Sequence, residues 1–124
     1  MRRDPLFASL TGLIALVVLG QFVFAGLFLR TDDREAGGWL DAHAWGAHIG
    51  TVLAILTAVY AVVRLRDRKD LLIGSIAMAV LFLVESYLGG EIRDHGKDDL
   101  TAVHIPIAFL LTALVVWLPV RSRK

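Results

Sequence analysis

Residues 6–29, LFASLTGLIALVVLGQFVFAGLFL, run for 24 positions without a charged side chain. At about 1.5 Å per residue such a run makes a helix longer than the roughly 30 Å hydrocarbon core of a bilayer. It is too long for the apolar region of a signal peptide and ends without a small-residue cleavage pattern, so Arg2 and Arg3 flank a spanning helix, not a leader. Pro5 stands where a helix N-terminus tolerates proline.

Working outward from this run, three more apolar segments follow, at about 41–63, 71–89 and 101–120. Arg30 to Gly38 closes the first, with Gly37 and Gly38 marking a turn. Arg64 to Asp70 is a connector short enough for antiparallel neighbours. Gly89-Gly90 opens a second polar segment from Glu91 to Asp99, in which Asp98 or Asp99 is placed to cap the fourth helix. The segments are continuous and about twice the length of a barrel strand, and they lack the alternation of a barrel wall. With 56% hydrophobic residues in 124 and a mean hydropathy of +0.65, the chain carries more apolar surface than a soluble core of this size hides. The expected fold is all-α: an integral membrane up-and-down four-helix bundle, one domain over 1–124.

Lysine and arginine set the expected orientation. Arg2, Arg3, Arg64, Arg66, Arg68, Lys69, Arg121, Arg123 and Lys124 fall at one end, against Arg30, Arg34, Arg93 and Lys97 at the other. The basic end is expected to be cytoplasmic, placing both termini inside. The opposite end is acidic, with Asp32, Asp33, Glu35, Asp41, Glu91, Asp94, Asp98 and Asp99. Small residues in the first two spans, Gly12, Gly20, Gly26, Gly46, Gly50 and Ala54, suit close helix contact in lipid.

The absence of cysteine excludes disulfides, iron–sulfur clusters, thiolate zinc sites and cysteine nucleophiles. No nucleotide-binding glycine loop or catalytic-triad pattern is present, and nothing points to nucleic acid. Attention falls instead on polar groups inside the spans, which are costly in lipid and therefore functional candidates: Gln21, His43, His48, Glu85 and His104. His43 and His104 begin the second and fourth spans from the same face. In an antiparallel bundle those helices are diagonal, and inward imidazoles at equal depth can clamp a planar metal macrocycle. Gly46 and Gly50 follow His43 on its own face and leave room for the edge of such a group, while Ala108 and Pro106 keep the surroundings of His104 low in bulk.

The plain explanation stands beside this one. Two interfacial histidines, taken alone, are better explained by hydrogen bonds to water, headgroups or a neighbouring helix. His48 lies about 7.5 Å deeper than His43 and about 140° around the helix, and is a rival ligand or a packing group. Glu85 suits a hydrogen bond to a ligating histidine, an ion pair with Arg93, or a protonated packing role. Gln21 reads as an interhelical hydrogen bond. His95, between Asp94 and Gly96, reads as a solvated loop residue, with a hydrated metal site alongside Asp94, Asp98 or Asp99 as an unspecific alternative. Trp39, Trp45, Trp117 and Tyr87 read as interfacial belt residues.

The stretch from Val84 to Leu110, VESYLGGEIRDHGKDDLTAVHIPIAFL, resembles the third-to-fourth-helix region of one half of the haem A synthase family, through Leu88-Gly89, Gly96 and His104. The resemblance covers roughly residues 41–118. It implies a four-helix half with haem-ligating histidines on the second and fourth helices near the outer face, which fall on His43 and His104. The chain departs from the family in being a single half, in lacking the cysteine pair many members carry, and in having Leu40 where the family has glutamate three residues before His43. Oxidation of a haem methyl group is therefore not among the expectations. The chain also resembles a group of small bacterial four-helix membrane proteins, which implies a bacterial cytoplasmic membrane.

The leading expectation is a b-type haem protein with haem b between His43 and His104, supported by Gly46, Gly50 and Glu85. It would serve electron transfer, haem handling or redox sensing, with a quinol or another redox partner. The alternative is a cofactor-free accessory or assembly subunit of a larger membrane complex. A homo-oligomer uniting two halves into an enzyme needs an intramembrane acid or base, for which Glu85 is the candidate. A transporter fits less well, since no span is visibly broken.

Overall fold

A computed structural model describes residues 4–31 and 38–124. Arg2, Arg3 and the predicted turn before Gly38, residues 32–37, lie outside the described residues. Those described form four α-helices: α1 Pro5–Thr31, α2 Trp39–Arg64, α3 Lys69–His95 and α4 Thr101–Arg121. Each helix is long and apolar enough to cross a membrane, and the four apolar runs of the sequence correspond to the four helices. Successive helices pack side by side and α4 returns to α1. Among the described residues α2 does not touch α4, nor α1 touch α3, so α2 and α4 are diagonal as expected.

The helix ends follow local chemistry. Asp4 precedes Pro5, the first helical residue, and its Oδ1 accepts the Phe7 N–H at 3.0 Å, an N-cap with proline in the first turn. Its other oxygen accepts the Tyr60 hydroxyl at 2.7 Å, fastening the start of α1 to α2 near its end. At that same basic end Asp70 sits between Arg121 at 2.6 Å and Arg68 at 3.1 Å, and joins α3 to α4. At the acidic end Arg93 meets Asp41 at 2.8 Å and ties α3 to α2.

Two boundaries differ from the sequence expectation. Gly89-Gly90 does not close the third helix, which runs on to His95 and stops at Gly96, where φ of 64° takes the left-handed conformation glycine favours. Gly96 N–H bonds back to Glu91 O, and Lys97 N–H bonds the same oxygen at 3.3 Å, so the chain turns back on the last turn of α3. The Lys97 ammonium also bonds the Glu91 carboxylate, which raises its pKa above the ordinary lysine value. Neither Asp98 nor Asp99 occupies the N-cap of α4. Both belong to a 3₁₀ turn, Asp98–Leu100, and the cap position falls to Leu100.

Every helix is apolar all round, so which stripe faces inward is decided by fit. Buried positions on α1 are Phe7, Thr11, Ile14 and Val18; on α2 Gly50, Ala54, Thr57 and Ala61. On α3 the stripe is Leu71, Ser75, Met78, Phe82 and Glu85, and on α4 Leu111, Val115 and Leu118. All four step by alternating three and four residues, the 3.5-residue repeat of helices that cross at a shallow left-handed angle. The buried hydroxyls bond carbonyls of their own helices: Thr11 to Phe7 at 2.9 Å, Thr57 to Leu53 at 2.8 Å and Ser75 to Leu71 at 2.7 Å.

Glycine sets the closest approaches. A Cβ on Gly50 would stand 2.4 Å from Cε1 of the buried Phe82 ring, and one on Gly74 would stand 2.8 Å from Leu118 Cδ2. Nothing lies within 4 Å of a Cβ on Gly12. Gly50→Ala is therefore expected to lower stability in detergent by about 1–3 kcal/mol through overpacking. Gly12→Ala should match or exceed the parent by up to about 1 kcal/mol from helix propensity. Thermal unfolding followed by helical circular dichroism compares the two.

Candidate functional site

The inward stripes do not stop at the apolar core. Continued at the same spacing toward the acidic end, α1 reaches Gln21 three residues after Val18, and α3 carries Glu85 on its buried stripe, with Leu88 buried beyond it. Seven residues before Gly50, α2 carries His43, and seven before Leu111, α4 carries His104. Each helix thus contributes one polar side chain to a layer near the acidic end.

Contacts join the four. His43 Nδ1 lies 3.0 Å from the Gln21 main-chain oxygen. A carbonyl only accepts, so Nδ1 carries the proton and the Nε2 of a neutral ring keeps its lone pair. His104 Nδ1 lies 2.9 Å from Glu85 Oε2, an ion-pair separation that lacks hydrogen-bond alignment. His43 is in electrostatic range of both His104 and Glu85. Phe28 packs against His43 with ring centroids 5.6 Å apart, edge to face. Gly89 allows the approach of α4, since a Cβ there would meet His104 Cε1 at 3.7 Å.

This layer is where buried polar atoms lack partners. Gln21 Nε2, Glu85 Oε1 and His104 Nδ1 are all buried without a hydrogen bond. Such groups cost roughly 1–3 kcal/mol each when a partner is missing. A donor from α1, an acceptor from α3 and an imidazole nitrogen from α4, the last beside Glu85 but unaligned, meet at one level without completed hydrogen bonds, which makes this layer the candidate site.

The remaining candidates are placed as follows. His48 lies on the exposed face of α2 against Trp45, ring centroids 6.0 Å apart, away from the layer. His95 is the exposed last residue of α3, 3.2 Å from Glu91, and not a loop residue. Among the described residues no three of His, Asp and Glu cluster as a metal-ion site, which leaves the hydrated site around His95 without support. Arg93 is taken by Asp41, not Glu85. Gly46 and Gly50 do permit close approach, but the space is filled: the Gln21 amide lies on Gly46 and the Phe82 ring on Gly50. The Gln21 side-chain nitrogen forms no interhelical bond; its main-chain oxygen does.

Phe82, Ser86 and Thr51 were not singled out from the sequence, and Gly89 only as a helix end and in the resemblance. Phe82 fills the space beside Gly50, Gly89 underlies His104, and Ser86 meets Thr51 across α2 and α3 at 2.9 Å. The repeat through Phe82, Glu85 and Gly89 is the signal that identifies them as one stripe. Comparison with protein-family models, curated proteins and solved structures finds no match for this chain.

The unpaired amide of Gln21 gives a stability test. Gln21→Leu removes a buried donor without a partner, and is expected to be neutral or stabilising by about 1 kcal/mol. A loss of more than that in thermal unfolding would mean the amide makes a bond of structural value.

Proposed function

We propose that this chain is a b-type haem protein of a bacterial cytoplasmic membrane, holding haem b between His43 and His104 near the outer face for electron transfer or haem handling. The observation that carries the reading is the pair of imidazoles brought into one layer from diagonal helices, with each Nδ1 beside an oxygen. Histidines that ligate a metal through Nε2 are held this way, Nδ1 directed at a carbonyl or carboxylate. Gln21 O fixes the tautomer of His43, and Glu85 fills the same position for His104. The resemblance of roughly residues 41–118 to one haem A synthase half implies the same two histidines.

The donor atoms fit the group, and the space sets a condition. Because Gln21 and Phe82 cover Gly46 and Gly50, a flat macrocycle enters only as those two side chains turn away. Haem when bound supplies a one-electron carrier, and two imidazole ligands leave it no open position for oxygen chemistry. Glu85 and the Gln21 carbonyl orient the imidazoles. Phe82 and the apolar stripe below keep water on the acidic side of the layer.

The same filled space favours a second reading, a cofactor-free accessory or assembly subunit of a larger membrane complex. Reduced-minus-oxidised spectra of protein made with haem precursor supplied separate the two. A sharp low-spin signal near one haem per chain is expected, lost in His43→Ala and in His104→Ala and kept in His48→Ala. Glu85→Gln should retain the signal with affinity lowered about 10- to 100-fold. A featureless spectrum from the parent chain would establish the cofactor-free reading.

The N-in, C-in orientation rests on nine basic residues at one end against four at the other. With no native cysteine, single labels report it directly. In intact cells Lys97→Cys should react with a membrane-impermeant maleimide, and Asp67→Cys should react only after permeabilisation. The reverse pattern would invert the topology.

A further inference from the structure

A groove of about 330 Å³ opens toward lipid between α1 and α2, beside the polar layer. Its walls are apolar, with Leu16 and Phe24 from α1 and Ile49 from α2, and its floor is low in bulk at Gly20 and Gly46. Gln21 belongs to the same lining. Its Nε2 rests on Gly46, buried and without an acceptor. The torsion that carries a glutamine amide is soft, so a modest turn presents this donor to the groove.

Depth decides what an occupant must be. At about 1.5 Å per residue, Gln21 lies roughly 12 Å inside the end of the first apolar run at Leu29, and Gly46 lies roughly 8 Å inside the start of the second at Asp41. The ester carbonyls of a phospholipid stay in the interfacial region outside the hydrocarbon core. An acceptor that meets Gln21 must instead be carried within the hydrocarbon by an apolar molecule. Phe24 rests against Gly20 and the Gln21 amide against Gly46, so a flat head group lies over them in the open groove, and a long apolar tail suits the lipid side.

We infer that this groove binds a prenylated quinone, with a ring carbonyl accepting a hydrogen bond from the Gln21 amide and the isoprenoid tail running along the lipid-facing wall. The Gln21 main-chain oxygen holds His43, so the quinone ring would sit next to one proposed haem ligand. The inference names the redox partner for the proposed function and rests on that function for its electron-transfer meaning; binding itself does not require haem.

Trp39 stacks on Phe24 at 6.1 Å and is a built-in reporter. The full chain, haem-free, is placed in phosphatidylcholine nanodiscs with Trp45→Phe and Trp117→Phe, leaving Trp39 as its one tryptophan. A menaquinone with two isoprene units is then titrated. Quenching is expected to saturate near one quinone per chain. Gln21→Leu should weaken it tenfold or more, Gly20→Leu should abolish it by filling the floor, and Val80→Leu, on the exposed face of α3, should leave it unchanged. Circular dichroism confirms that each variant keeps its helices; if Gln21→Leu loses them, Gly20→Leu against Val80→Leu carries the test. Quenching that rises linearly, that is equal in parent and groove variants, or that anionic phospholipid displaces would overturn the assignment. His104→Ala removes the haem signal and leaves this titration intact, so failure of one reading does not pass for failure of the other.

Discussion

In hydrocarbon a leucine gains nothing by leaving lipid for a helix interface, so the assembly of these four helices rests on how closely their surfaces fit. Glycine makes that fit at three successive contacts. Gly46 receives Gln21 from α1, Gly50 receives Phe82 from α3, and Gly74 receives Leu118 from α4. Each is a large side chain seated on bare backbone, which maximises dispersion contact where no hydrophobic effect operates. The alternating three-and-four spacing of the buried residues follows, since it keeps one stripe of each helix facing its neighbours along most of its length.

That geometry also determines where the polar groups meet. A residue on an inward stripe stays inward however polar it is, and Gln21, His43, Glu85 and His104 continue the stripes that bury Val18, Gly50, Phe82 and Leu111. The basic end is held by pairs that are complete, Tyr60 on Asp4 and Arg121 on Asp70. The polar layer is different in kind, since it leaves the Gln21 amide nitrogen and one Glu85 oxygen without hydrogen bonds and sets His104 beside Glu85 without hydrogen-bond alignment. Stability alone gives no reason to keep such atoms in lipid, which is what makes the layer the candidate site.

The number of helices, their order and the diagonal placement of α2 and α4 were legible in the sequence, because charged residues punctuate a chain that is otherwise apolar. Helix ends were less so. Two glycines cost a helix only about 1 kcal/mol each, and the turn of Glu91 to His95 is supported by its own ion pairs, so α3 passes Gly89-Gly90. The inner face was hardest to read. With apolar residues on every side, polarity does not separate His43 from His48; the small residues Gly50, Ala54, Thr57 and Ala61 do, and their repeat leads back to His43. That a main-chain oxygen, not the Gln21 amide, meets His43 depends on the offset between α1 and α2, which no single residue encodes.

The layer's position limits what the molecule does with it. Between it and the basic end the bundle is closed by Phe7, Ile14, Met78, Phe82 and Leu118, each nearly or wholly buried. All four helices run unbroken past that plug, without the unwound segments from which transporters build midplane sites. Glu85, His43 and His104 stand on the acidic-end side of that plug, and Gln21 lines the apolar groove between α1 and α2. A polar layer set off-centre above an apolar plug, with a lipid-facing groove beside it, is the arrangement that the proposed one-sided redox role requires.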